Sequence, residues 1–103
     1  MVKLNLGCGD DKKEGYVNMD FSKEVNPDKV WNFEKTPLPF RTNSVDEILA
    51  FHILEHINNF IPLMHDFHRI CKNGAIIKIK TPIAHGLIES ISAVTTIVPR
   101  AGK

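Results

Sequence analysis

The sequence predicts an α/β fold: a mainly parallel sheet of about five strands with few helices, in a single domain over residues 1–103. Three observations carry that expectation. The run LNLGCG ends a short apolar segment in Gly7 and Gly9, and Asp20 stands eleven residues later, at the end of a second short segment. Further on, the continuous apolar run Ile48-Leu49-Ala50-Phe51 gives way to apolar residues at helical spacing. Neither glycine has a Cβ, so their turn lets backbone approach a ligand closely. A glycine turn after the first strand and a carboxylate after the second form the ligand constellation of a doubly wound nucleotide-binding sheet. In that arrangement the ligand lies across the carboxyl ends of the strands and the acid takes a ribose hydroxyl pair.

Taken in order, residues 2–6 read as the first strand and residues 16–19 as the second. About nine residues lie between these two strands, whereas a parallel crossover usually needs a dozen or more. The first helix is therefore expected to shrink to a turn. The second connection, residues 21–29, is loop-like at Asn26 and Pro27. Residues 30–33 read as a third strand at the sheet edge, and the proline-spaced TPLPF after it has no helical future. Thr42, Asn43 and Ser44 form a turn. Residues 47–51 read as a fourth strand covered on both faces. After His52, Ile57, Phe60, Ile61, Met64, Phe67 and Cys71 recur at helical spacing. Asn58 or Asn59 can cap that helix, Pro62 is tolerated in its first turn, and Asn73-Gly74 supplies a left-handed stop. His65 and His68 read as side chains at its boundary or surface.

Residues 75–81 read as a fifth strand that Pro82 ends. Lys78 and Lys80 fall on one face of it, Ile77 and Ile79 on the other. A central parallel strand is apolar on both faces, so the lysines mark a face or an edge open to water. The tail, residues 82–103, is atypical. Leu87, Ile88, Ile91, Val94 and Ile97 or Val98 lie at roughly helical spacing and predict one last helix, against which the threonines and β-branched residues count.

Composition narrows the function classes. The net charge is +1 with both signs well mixed, so no nucleic-acid or membrane surface built on bulk charge is evident. The pair Lys12 and Lys13 is too short for a basic patch. Cys8 and Cys71 lack the spacing of a disulfide framework or a metal knuckle and read as small fillers in a reducing compartment. There is no signal peptide pattern and no transmembrane stretch, so a cytoplasmic location is expected.

The run LNLGCGDDKKEGYVNMD resembles motif I and the following acidic position of class I S-adenosylmethionine-dependent methyltransferases, in the short variety with a reduced first helix. PLPFRTNSVDEILAFHILEHI and HRICKNGAIIKIKTP resemble that family's fourth-strand and fifth-strand regions, in the expected order. The resemblance covers residues 2–82 and implies a Rossmann-like sheet of order 3-2-1-4-5. The distal part of the methyltransferase fold, another helix and two strands, is missing. The resemblance implies S-adenosyl-L-methionine as cofactor and a methyl acceptor it does not identify. By the same resemblance Leu6, Gly7, Cys8 and Gly9 hold the methionine portion and Asp20 accepts from both ribose hydroxyls. Met19 and Phe21 flank the adenine. Asn32 stands where relatives often carry an aspartate that reads the adenine amino group. Phe51 and His52 end the fourth strand, where methionine and acceptor meet. Methyl transfer from a sulfonium is a direct displacement, so holding the partners together supplies most of the acceleration.

His52, Glu55 and His56 are the candidate catalytic residues. HILEH also matches the H-x-x-E-H spacing of an inverted zinc-protease helix, in which His52 and His56 would hold zinc and Glu55 would act as base. The family has a similar LEH at this place, which accounts for the match without metal. Glu55 or His56 then deprotonates an acceptor or lines the pocket. Two features count against a nicotinamide-binding reading: Lys12 stands where the third glycine belongs, and the acid follows after eleven residues rather than about 20. A second class of function is a truncated, non-catalytic module. It would bind the cofactor or a protein partner through an exposed fifth-strand edge, and a homodimer paired at that edge is one variant.

Overall fold

The computed structural model describes residues 1–51, 53–85 and 88–97. Five parallel strands run β1 (Lys3–Leu6), β2 (Val17–Asp20), β3 (Lys29–Val30), β4 (Val45–Phe51) and β5 (Cys71–His85), and β6 (Ile88–Ile97) closes the list. Their order in the sheet is β3-β2-β1-β4-β5-β6, with β6 antiparallel to β5. The expected order 3-2-1-4-5 therefore holds, and a sixth strand is added to it.

The register sorts side chains into two unlike faces. Leu4 lies opposite Val17 and Ile48, and Leu6 opposite Met19 and Ala50. Ile48 and Ala50 in turn lie opposite Ile77 and Ile79. Because side chains alternate along a strand, these residues form one apolar face. The one α-helix among the described residues, α1 (Phe60–Ile70), covers it with Leu63, Phe67 and Ile70, all essentially inaccessible to water. Each such side chain contributes roughly 1.5–3 kcal/mol by leaving water. Phe33 and Leu38 complete this core from the loop after β3. Leu38 is fastened there through its N–H, which donates to buried Asp66 of α1 at 2.6 Å. Burial pushes the Asp66 carboxyl up, but hydrogen bonds from Arg69 and from Leu38 outweigh it, and the carboxyl stays below its ordinary range.

The opposite face carries Asn5, Asn18, Glu47, Lys78 and Lys80, with Leu49 and Phe51 among them. There the first connection docks. No helix forms between β1 and β2, as its length predicted. Its backbone is held instead by two buried asparagines. The Asn5 side-chain amide donates to the Asp11 carbonyl and to Asn18 Oδ1, and Asn18 Oδ1 also accepts from Lys13 N–H. Asn18 donates onward to the Lys13 carbonyl and to Asp28 Oδ2. At the rim, Tyr16 donates to Glu47 at 2.6 Å, a bond that pushes its phenol up to about 12.

Several boundaries differ from expectation. The third strand is Lys29–Val30 rather than residues 30–33. The helix buries Leu63, Asp66, Phe67 and Ile70, while Phe60 and Ile61 are 41% and 61% exposed. The apolar face is thus rotated from the predicted one, because the core lies beneath the later turns only. Asn59 occupies the N-cap position but its side chain does not cap. The helix stops at Ile70, before Asn73-Gly74, because the turn at residues 42–44 takes its last carbonyls: Asn43 and Ser44 N–H donate to those of Arg69 and Ile70. Gly74 is left-handed (φ 84°) but lies inside β5, where the register slips between Val45 and Glu47. Pro82 does not end the fifth strand, which continues to His85. The expected last helix is instead strand β6, in line with its β-branched composition. The β5 edge is consequently occupied by β6 and is not the open edge the sequence suggested. No helix among the described residues is long and apolar enough to cross a membrane.

Candidate functional site

At the carboxyl ends of β1 and β2 the chain leaves a cavity of about 240 Å³. Gly7, Asp20 and Phe21 line it from these strand ends. Asn32, Phe33 and Glu34 form one wall and Ile53, His56 and Ile57 the other. The volume is smaller than the roughly 300–1,000 Å³ clefts that enclose a whole drug-sized ligand. It suits part of a ligand rather than all of one.

The glycine turn is pinned by its own backbone. Gly7 and Cys8 N–H both donate to the Met19 carbonyl, at 2.8 and 3.0 Å. Gly9 N–H donates to Asp20 Oδ2 at 2.9 Å. All three amides of the turn are spent inside the protein. A phosphate cradle needs such amides pointing at the ligand, usually with a helix N-terminus behind them, and this turn has neither. Gly7 adopts φ 69°, and a Cβ there would come within 3.0 Å of Ile53 Cβ. A side chain at position 7 would strain the backbone and push on the far wall.

Asp20 is buried, 6% exposed. Its Oδ1 accepts from Ser22 N–H at 3.0 Å while Oδ2 takes Gly9. A carboxylate offers about four acceptor positions, so one on each oxygen remains for two vicinal hydroxyls. The carboxylate is thus fixed in place by backbone before any ligand arrives.

The structure gathers Gly7, Asp20, Phe21, Asn32 and His56 around this cavity. Leu6 and Met19 are wholly buried, and the Met19 carbonyl holds the glycine turn. Cys8 is buried behind the turn, where burial first and the Asp20 charge second push its thiol up. Both causes disfavour the thiolate, the form that reacts. Phe51 is not brought to the cavity. It sits beside Ala50 but on the opposite face, with Lys80 Nζ 4.7 Å from its ring centre. Asn32 Oδ1 accepts from Glu34 N–H at 3.0 Å and so shapes its own turn. Glu55 and His56 belong to a 3₁₀ turn, Leu54–His56. His52 lies outside the described residues. The H-x-x-E-H spacing therefore does not fall on one α-helix, which its zinc reading requires. Among the described residues no cluster of metal-ligating side chains occurs.

Sequence reasoning missed Phe33, Glu34, Ile53 and Ile57. Ile57 shares the helical spacing of the residues that follow it, and a lone acid in a loop carries no local signal. Two of Glu34's contacts are reached across 24 and 25 residues of chain: Oε2 accepts from Asn58 N–H and Oε1 from Asn59 N–H, each at 2.9 Å.

Residues 4–79 match the profile of the methyltransferase domain family, and the chain belongs to that family, the class I S-adenosylmethionine-dependent methyltransferases. Solved structures share the fold. A methyltransferase in complex with the Trm112 activator of Haloferax volcanii is 21% identical, with TM-score 0.63, over 78% of this chain and 44% of that one. The trans-methyltransferase CalH, solved in complex with SAH, is 13% identical with TM-score 0.67 over 84% and 33%. A SAM-dependent methyltransferase from Aquifex aeolicus is 17% identical with TM-score 0.63 over 80% and 56%. The chain spans about a third to just over half the length of these proteins. Among curated proteins none matches it.

Proposed function

We propose that this cavity receives the nucleoside half of S-adenosylmethionine and that the chain is the cofactor-binding part of a methyltransferase. The observation that carries the reading is Asp20, buried and oriented by Gly9 and Ser22 N–H, with acceptor capacity left on both oxygens. It supports the two hydroxyls of a ribose. The self-satisfied glycine turn argues in the same direction, since it suits an uncharged ribose and a methionine chain better than a phosphate. Phe21 and Asn32 flank the place for the base, while Leu6, Cys8, Gly9 and Met19 serve through turn backbone and packing. Phe51 is assigned no ligand contact.

Bound S-adenosylmethionine supplies a methyl group on a sulfonium, which passes to an acceptor nucleophile as the carbon–sulfur bond breaks and S-adenosylhomocysteine remains. The protein's part is to bind, orient and exclude water. His56 lines the cavity and is assigned to the acceptor side, as wall or as the base that takes the acceptor's proton. Glu55 and His52 stay in the candidate set through the family resemblance alone. Free, buried Cys8 and Cys71 are in keeping with a reducing compartment, the cytosol. One structural neighbour is held in a complex with an activator subunit, and a partner of that kind is part of this reading.

The test is an amide chemical-shift titration with S-adenosylmethionine and S-adenosylhomocysteine, repeated on Asp20→Ala. Saturable shifts at Gly7, Gly9 and Asp20, weakened by about tenfold or more in the variant as expected for lost charge-assisted bonds, are the expected result. An unshifted spectrum at millimolar ligand would overturn the reading.

A further inference from the structure

We infer that Glu34 is the positioning residue of the nucleoside pocket: its carboxylate ties the two walls together and so sets the pocket's width. The inference rests on the nucleoside reading above and adds a residue that neither the family motifs nor local sequence picks out.

The two walls come from different crossovers. One is the turn after β3, where Asn32 Oδ1 accepts from Glu34 N–H and the Asn32 carbonyl accepts from Lys35 N–H. The other runs through Ile53 and Ile57 into the start of α1. They are joined by three bonds at Glu34. Its two carboxylate oxygens accept from Asn58 and Asn59 N–H at 2.9 Å each, and its carbonyl accepts from the Asn59 side-chain amide at 2.9 Å. This bidentate carboxylate takes amides that lie just ahead of α1, where a negative charge also suits the helix dipole. The two amides belong to the N-cap residue Asn59 and the residue before it, so the carboxylate fixes the chain's entry into the helix, while the Asn59 side chain makes no capping bond of its own. Because the clip spans the cavity from wall to wall, releasing it frees Ile53, His56 and Ile57 to move away from Asn32 and Phe33. Fewer molecules then hold the closed pocket, and apparent affinity falls in proportion to the fraction that does.

The experiment uses the full chain with Glu34→Ala and Glu34→Gln. Glutamine keeps the side chain's length and one acceptor. The first readout needs no ligand: amide hydrogen exchange at Asn58 and Asn59, which the clip protects and Glu34→Ala exposes. The second is calorimetric titration with adenosine and with S-adenosylhomocysteine. Expected are faster exchange at both amides in Glu34→Ala and about a tenfold weaker affinity for each ligand, with Glu34→Gln between it and wild type. An equal loss for adenosine and S-adenosylhomocysteine places the effect on the nucleoside portion the two share, and faster exchange confined to the segment around Asn58 and Asn59 separates it from a general weakening of the chain. Wild-type exchange at Asn58 and Asn59 in both variants, or wild-type ligand affinity in Glu34→Ala, would overturn the inference. Failure of the wild-type chain to bind either ligand would instead overturn the nucleoside reading and the pocket-width claim with it. The exchange data would still decide whether the clip exists.

Discussion

The two faces of the sheet are built on opposite principles. One is a continuous apolar field, Leu4, Leu6, Met19, Ile48 and Ala50, sealed by Phe67 and its neighbours on α1. The other is held by a directional network in which buried Asn5 and Asn18 fasten a connection that has no helix. The first tolerates imprecision in partners but not lost volume. The second contributes little apolar area and depends on every donor finding its acceptor. The short crossover is possible because Asn18, through its side chain, does for that loop's backbone what helical hydrogen bonds would do for themselves.

The sharpest way to break the contrast is Phe67→Ala. It removes an aromatic that is 1% exposed and should cost about 3–5 kcal/mol. By chemical denaturation that is a large fraction of an ordinary domain's stability. On the other face, Asn18→Leu keeps the volume and adds apolar character. If the network matters more than area, the change destabilises, by about 1–3 kcal/mol, because Lys13 N–H and the Asn5 amide lose their acceptor. Stabilisation in the same assay would mean that this face is merely an unfilled core.

A smaller effect tests the network through pH. The Asp28 carboxyl lies below its ordinary range, held first by Asn18 N–H and then by the Asn18 side chain. A depressed folded-state value adds stability above the unfolded value, and that stability is lost as pH falls through the folded one. Urea unfolding at pH 7 and pH 3 should show wild type losing more on acidification than Asp28→Asn, with the variant the less stable of the two at pH 7. Identical acid losses would remove Asp28 from the account.

What could be read in advance follows the same division. Gly7 and Asp20, which line the cavity, stand out in the sequence because backbone conformation and charge mark them individually. The strand order followed from resemblance. The rotation of α1 did not, since Phe60 and Ile61 carry the same apolar signal as Leu63 and Ile70, and only the core's position chooses between them. Tail residues 88–97 had both helical spacing and β-branched composition, and pairing with β5 decided for strand. Glu34 was invisible because its meaning lies in partners 24 and 25 residues away. Phe51 carries the same apolar signal as Ala50, and strand alternation puts it on the opposite face, away from the cavity lining.

The central place of β1 has a consequence for biosynthesis. It pairs with β2 nearby, yet its other edge waits for β4, with Lys3 joined to Glu47 44 residues on. At a translation rate of about 5–20 residues per second, that edge stays unmatched for roughly 2–9 seconds. During that interval Leu4 and Leu6 have no permanent cover, and the nascent chain presents an apolar strand to whatever meets it at the ribosome. The segment that anchors the ligand turn is thus the one whose shelter arrives late.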